Sequence, residues 1–95
     1  MLLSNTSMFY VYVLRCSDGS LYTGYTNDIE QRIQKHSKGM ASNYTRTRLP
    51  VRIAATWPFV TKSDAMKFEA LFKSLSRDEK LVEIEKQHHH DRTLH

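Results

Sequence analysis

Tyrosine is concentrated near the start of this chain, at positions 10, 12, 22 and 25. A phenol can pass a proton and, once ionised, act as a base. Its ordinary pKa near 10 means that a neighbouring cation must help it at neutral pH. Arg32 and His36 follow, four residues apart, and so share one side of a helix. A guanidinium grips phosphate through two N–H groups, and an imidazole exchanges a proton near pH 7. Farther on stands Glu69. A half-sheltered, rigidly held carboxylate is a ligand for a hard divalent cation. Each feature also has an ordinary explanation. Phenols on paired strands pack across them, Arg32 and His36 decorate a helix, and Glu69 pairs with Lys73 at i,i+4.

The elements that would position these groups are legible. Residues 8–16 are rich in aromatic and β-branched types and predict a strand. Ser17-Asp18-Gly19-Ser20 supplies a turn, and residues 21–26 a second strand, so the two form a hairpin. Tyr10 and Tyr12 share one strand face. Gly24, inside the second strand, marks a bulge or a close approach to the backbone. Asn27 with Glu30 reads as a capping box, with Ile29 and Ile33 marking the buried side of the helix and Arg32 and His36 on its shoulder. That helix fades between Ser37 and Gly39. Residues 40–50 read as a polar, basic loop, and Val51 to Trp57 as a third strand stopped by Pro58. A second helix begins after Lys62 with Ser63 as its cap, and repeats Ala65, Phe68, Leu71, Phe72 and Leu75 at helical spacing. Glu69 falls at the edge of that stripe. Ser76 to Glu79 is a further capping box. The expectation is an α+β fold in α/β/α layers. It has a small three-stranded antiparallel sheet flanked by helices, in the order β-β-α-β-α-α. One domain spans 8–86, with flexible termini at 1–7 and 87–95.

The 95 residues carry a net charge of +4 and a pI of about 9.4. Between Glu30 and Asp64 there is no acidic residue and there are seven basic ones, Arg32, Lys35, Lys38, Arg46, Arg48, Arg52 and Lys62. Such a one-signed block makes a directional field suited to a polyanion. It lacks the amphipathic repeat of a membrane-surface helix. The apolar run Phe9–Leu14 is too short to span a bilayer, and the first residues lack the pattern of a cleaved signal. The single Cys16 excludes an internal disulfide and a multi-cysteine zinc site. It reads as structural, and the chain as cytoplasmic. The adjacent His88, His89 and His90 read as part of a tail without the fixed geometry of a metal site.

Taken in order, these residues resemble the GIY-YIG nuclease domain. Tyr10-Val11-Tyr12 looks like the first motif, with Tyr12 in the tyrosine slot, and Tyr22-Thr23-Gly24 like the second. Asn27 to Ile33, with His36 four beyond Arg32, resembles the family's helix signature. Glu69 stands at the place of the metal-binding glutamate. Tyr44-Thr45-Arg46 and Lys73 to Arg77 are similar to segments of small stand-alone bacterial members. The likeness runs from about Phe9 to Leu81. Tyr10 departs from the motif glycine, Tyr25 stands where some relatives have lysine, and no asparagine follows Glu69.

The resemblance implies a metal-dependent endonuclease acting on DNA, in branched or damaged intermediates of repair or recombination. Glu69 would hold one Mg²⁺ or Mn²⁺ and Arg32 the scissile phosphate. Tyr12 or Tyr22 would serve as general base, with its pKa lowered by the cation, Arg32 or His36. His36 would pass the proton on or touch phosphate. Lys35, Lys38, Arg46, Arg48 and Lys73 would contact flanking backbone, and Gly24 would be structural. Family nucleases usually add a DNA-binding domain, so a separate partner protein is compatible with this chain. Two rivals remain at this stage. One is a nucleic-acid-binding module that has lost turnover, and the other a protein-interaction domain whose tyrosines only pack.

Overall fold

The computed structural model describes residues 8–93. Strands β1 (Phe9–Arg15) and β2 (Leu21–Thr26) form the expected hairpin, followed by helices α1 (Ile29–Ser37) and α2 (Asn43–Arg46). Strand β3 (Arg52–Phe59) precedes helices α3 (Lys62–Lys73) and α4 (Arg77–Thr93). The fold is the expected α+β arrangement, a three-stranded antiparallel sheet with helices, but its order is β-β-α-α-β-α-α. The difference is α2. The basic loop contains one helical turn, because Ser42 caps it by accepting a hydrogen bond from the Thr45 backbone N–H at 3.1 Å.

The sheet order is β2-β1-β3, which makes β1 central and leaves β2 and β3 as edges. Its position explains why Val11, Tyr12, Val13 and Leu14 are all buried, since both faces are covered. Val11 pairs with Trp57 and Val13 with Ala55. Their face packs on α3 and α4, where Val13, Ala55, Phe72 and Ile84 form the core. Trp57 lies against Phe68 and Phe72 with ring centroids 5.0 and 5.3 Å apart. Pro58 does not end β3. An edge strand has an N–H side that needs no partner, so a proline is accommodated there, and the strand runs on to Phe59.

Two helix starts lie elsewhere than the sequence suggests. Asp28, not Asn27, caps α1, accepting from the Gln31 N–H at 3.0 Å. Thr61, not Ser63, caps α3, accepting from Asp64 N–H at 3.1 Å. In each case two residues within two positions of one another could cap, and the strand exit decides which one takes the extended conformation. The Ser76–Glu79 capping box is present in both directions, at 2.9 and 3.2 Å. Gly39, with φ +75°, ends α1 where expected. From Gln87, α4 continues as helix to Thr93 rather than ending near Glu85, anchored on β3 by Gln87 donating to the Thr56 carbonyl at 2.8 Å. A second contact joins His88 to the Ala54 carbonyl. The expected flexible segment 1–7 and the last two residues lie outside the described residues.

Phe72 is 1% exposed at the centre of the aromatic cluster. Phe72→Ala is expected to destabilise the fold by about 3–5 kcal/mol, read as a lower urea midpoint with an unchanged slope.

Candidate active site

The site begins on the other face of β1. Tyr12 pairs with Gly24 across the hairpin, and its ring lies over that glycine. A methyl group at Gly24 would stand 2.6 Å from the phenolic oxygen. The close approach expected at Gly24 is therefore made by Tyr12 itself, and only a residue without a Cβ lets the phenol cross β2.

The phenol ends on His36. Tyr12 Oη and His36 Nε2 are 2.9 Å apart, and His36 Nδ1 is 2.8 Å from Thr45 Oγ1. His36 and Thr45 have no exposed surface, and Tyr12 is 1% exposed. Placing His36 on the shoulder of α1 is thus corrected. It is the buried residue of the helix, while Ile29 and Ile33 are only half-buried. Periodicity favours the isoleucines, but His36 lies close to Ile29 around the helix, and α2 supplies a partner for its second ring nitrogen through Thr45. Tyr22 meets His36 edge-on at 5.2 Å and stacks on Tyr44 at 6.0 Å. The Arg48 guanidinium covers the Tyr44 ring at 3.8 Å and binds Asp18 Oδ2 at 3.0 Å.

Burial pushes the Tyr12 phenol up to about 12, with the neighbouring Tyr22 adding to the effect. Arg32 opposes it by its charge and as a hydrogen-bond donor, and Glu69 raises it further. Burial, followed by the Arg32 charge, lowers the His36 pKa. The resting pair is therefore a neutral phenol beside a neutral imidazole. The expected lowering of the tyrosine pKa is not found at Tyr12, because desolvation outweighs the one adjacent cation.

Glu69 lies on α3, across the sheet from α1, and its charge acts on this phenol; β2 is an open edge of the sheet. Two depressions mark that edge. Lys62 and Arg32 share one with Tyr25 and Thr26, while Lys73 and Lys80 share the other with Leu21 and Tyr22. Helix α3 therefore runs antiparallel to β2, and Glu69 falls level with its middle. The carboxylate is 17% exposed and lies 3.2 Å from Lys73 Nζ, so the i,i+4 pair is formed. Tyr12, Tyr22 and His36 are thus in contact, and the charges of Arg32 and Glu69 act on the Tyr12 phenol. Lys35 on α1, Lys38 at its C-terminal cap and Arg46 on α2 are exposed. Arg48 is engaged in an ion pair with Asp18 that sequence alone did not indicate, and Lys73 in the i,i+4 pair with Glu69 that the spacing offered. Among the described residues no three of His, Cys, Asp and Glu gather as a metal cage.

A family model described as the GIY-YIG catalytic domain matches residues 8–82. This chain belongs to the GIY-YIG family. It is 52% identical over 79 residues to a UPF0213 protein of Streptococcus agalactiae, covering 83% of this chain and 89% of that one. It is 54% identical over 71 residues to a UPF0213 protein of Halalkalibacterium halodurans, covering 75% and 76%. The solution NMR structure of a UPF0213 protein from Bacillus halodurans matches with a TM-score of 0.58 at 48% identity, over 84% of this chain and 85% of that one. A solution NMR structure of an E. faecalis protein matches with a TM-score of 0.62 at 42% identity, over 88% and 90%.

Within this GIY-YIG domain, sequence reasoning passed over Thr45 as a contact of His36, and Tyr44 as the cover of Tyr22. Both lie in the family-like segment Tyr44-Thr45-Arg46, which was the available signal, but their partners belong to other elements. The depressed pKa of His36 has a sign that can be checked. The unfolded chain takes up the imidazole proton near pH 6.5, whereas the folded chain resists it. This contribution to stability is present above pH 6.5 and is lost as pH falls through the lower folded value. NMR titration is expected to place the His36 midpoint below 6.5. His36→Gln is expected to flatten the fall in stability across that same window.

Proposed function

We propose that this GIY-YIG domain is a divalent-metal-dependent endonuclease that hydrolyses phosphodiester bonds in DNA. The observation that carries this reading is the Tyr12–His36 hydrogen bond of 2.9 Å, under the influence of both Arg32 and Glu69. A phenol with a proton acceptor, acted on by the charges of one cation and one carboxylate, supports it.

Glu69 suits a hard cation that keeps most of its waters. Its carboxylate is sheltered but reachable, and the exposed Lys73 is a partner that an incoming ion can displace. Mg²⁺ or Mn²⁺, when bound, supplies charge to a phosphate oxygen and to the leaving 3′ oxygen. Arg32 grips the scissile phosphate through charge-assisted N–H bonds. Tyr12 takes a proton from water as its own proton passes to His36 Nε2, giving hydroxide and imidazolium. The hydroxide oxygen bonds to phosphorus as the bond from phosphorus to the 3′ oxygen breaks, and a proton from solvent completes the leaving hydroxyl. Tyr12 suits the base role better than Tyr22, because its proton has an acceptor, whereas Tyr22 meets the imidazole ring edge-on. Lys35, Lys38 and Arg46 would hold flanking phosphates. Arg48 and Lys73 could join them only by leaving Asp18 and Glu69.

The Glu69–Lys73 pair and the raised phenol also fit a second reading, a nucleic-acid-binding module without turnover. Linear and branched labelled DNAs with Mg²⁺ or Mn²⁺ separate the two, with repair and recombination intermediates tried first. Glu69→Ala is expected to abolish cleavage while leaving binding largely intact, and Arg32→Ala to reduce cleavage strongly. Equal residual cutting by wild type and Glu69→Ala across the panel would instead favour the binding module. In either case, Lys35→Ala with Arg46→Ala should weaken binding and lower the slope of log affinity against log salt by about 2.

A further inference from the structure

Thr45 is fully buried and reaches the site through His36. The direction of its hydrogen bonds can be assigned from the network. The Tyr12 phenol meets His36 Nε2 at 2.9 Å, and this is the acceptor the protein offers its hydrogen. The bare nitrogen must then be Nε2 and the protonated one Nδ1. Thr45 Oγ1 receives Nδ1–H at 2.8 Å and sends its own hydrogen to the Ser42 carbonyl at 3.4 Å. The reverse polarity would aim an Nε2–H at the phenolic oxygen and need Thr45 to donate to Nδ1 rather than to the Ser42 carbonyl. It would also leave the phenolic hydrogen without this acceptor inside the protein. Among the described residues no buried side-chain polar atom lacks a partner, and the first arrangement satisfies every member of the line.

We propose that Thr45 is a positioning residue that locks neutral His36 in its Nδ1–H form, so that the Nε2 lone pair faces the Tyr12 phenol. Its meaning for catalysis rests on the endonuclease reading, but the tautomer does not. The local fold serves this aim. Ser42 Oγ accepts the Thr45 backbone N–H at 3.1 Å and lies 3.3 Å from Thr45 Oγ1. The single turn of α2 is thereby fixed with its threonine directed at α1. A valine at 45 would keep the shape and lose the acceptor. A serine would keep the acceptor and lose only a methyl group.

The test is ¹⁵N NMR of histidine-labelled protein near pH 8, with the His36 signals identified as those absent from His36→Gln. Wild type is expected to show Nδ1 at the shift of a protonated ring nitrogen and Nε2 at that of a bare one. Thr45→Ser should keep this pattern. Thr45→Val should move both nitrogens toward an averaged position, and lower kcat for metal-dependent DNA cleavage about 10–100-fold with KM little changed, with serine restoring it. A protonated Nε2 in wild type overturns the proposal without recourse to any variant. So does a folded Thr45→Val whose His36 shifts match wild type. If the wild-type tautomer is as stated and no DNA is cut, the endonuclease reading fails while the assignment of Thr45 stands.

Discussion

The hydrogen bond between the Tyr12 phenol and His36 makes demands on nearly every other element. Both groups are polar and both are inside the protein, where an unpaired donor or acceptor costs roughly 1–3 kcal/mol. The phenol needs a path across β2, which Gly24 leaves open. The imidazole needs a partner for its second nitrogen, which the α2 turn supplies through Thr45. Neither residue could be buried there alone. A satisfied chain of this kind is rigid, and rigidity is what a catalytic proton path requires.

Around that line the charges are divided between the two layers. Arg32 on α1 and Glu69 on α3 act on the same phenol from opposite sides of the sheet. The apolar core lies on the α3–α4 face, behind Val11 and Val13. The polar line lies on the α1–α2 face. One strand thus carries both, with alternate residues committed to stability and to chemistry.

The aromatic column beside the line secures the loop. His36, Tyr22, Tyr44 and Arg48 succeed one another, and Asp18 in the hairpin turn holds the last of them. Arg48 therefore serves the join between α2 and the hairpin, although in sequence it looks like one more member of a basic block. Lys73, likewise basic and near the end of its helix, restrains the carboxylate of Glu69.

Local rules were enough to expose the hairpin, the helical stripe of α3 and the Ser76–Glu79 cap, while Tyr12, Tyr22, Arg32, His36 and Glu69 were singled out by their types and their order along the chain. All of them depend on spacing along a strand or helix, or on motif order that the chain itself displays. Local rules misplaced two caps, where nearby residues have nearly equal propensities and the strand exit decides, and the end of α4, which contacts with β3 extend. They also missed α2 and put His36 near the surface. Burial of an imidazole is decided by whether a partner for each nitrogen arrives from elsewhere, and Thr45 arrives from nine residues away through a fold of the chain. The types and order of the reactive groups were thus written in the sequence. Which of them is dry, which way its proton points and which cations are already engaged were settled only by packing, because desolvation and hydrogen-bond direction depend on neighbours brought together in space.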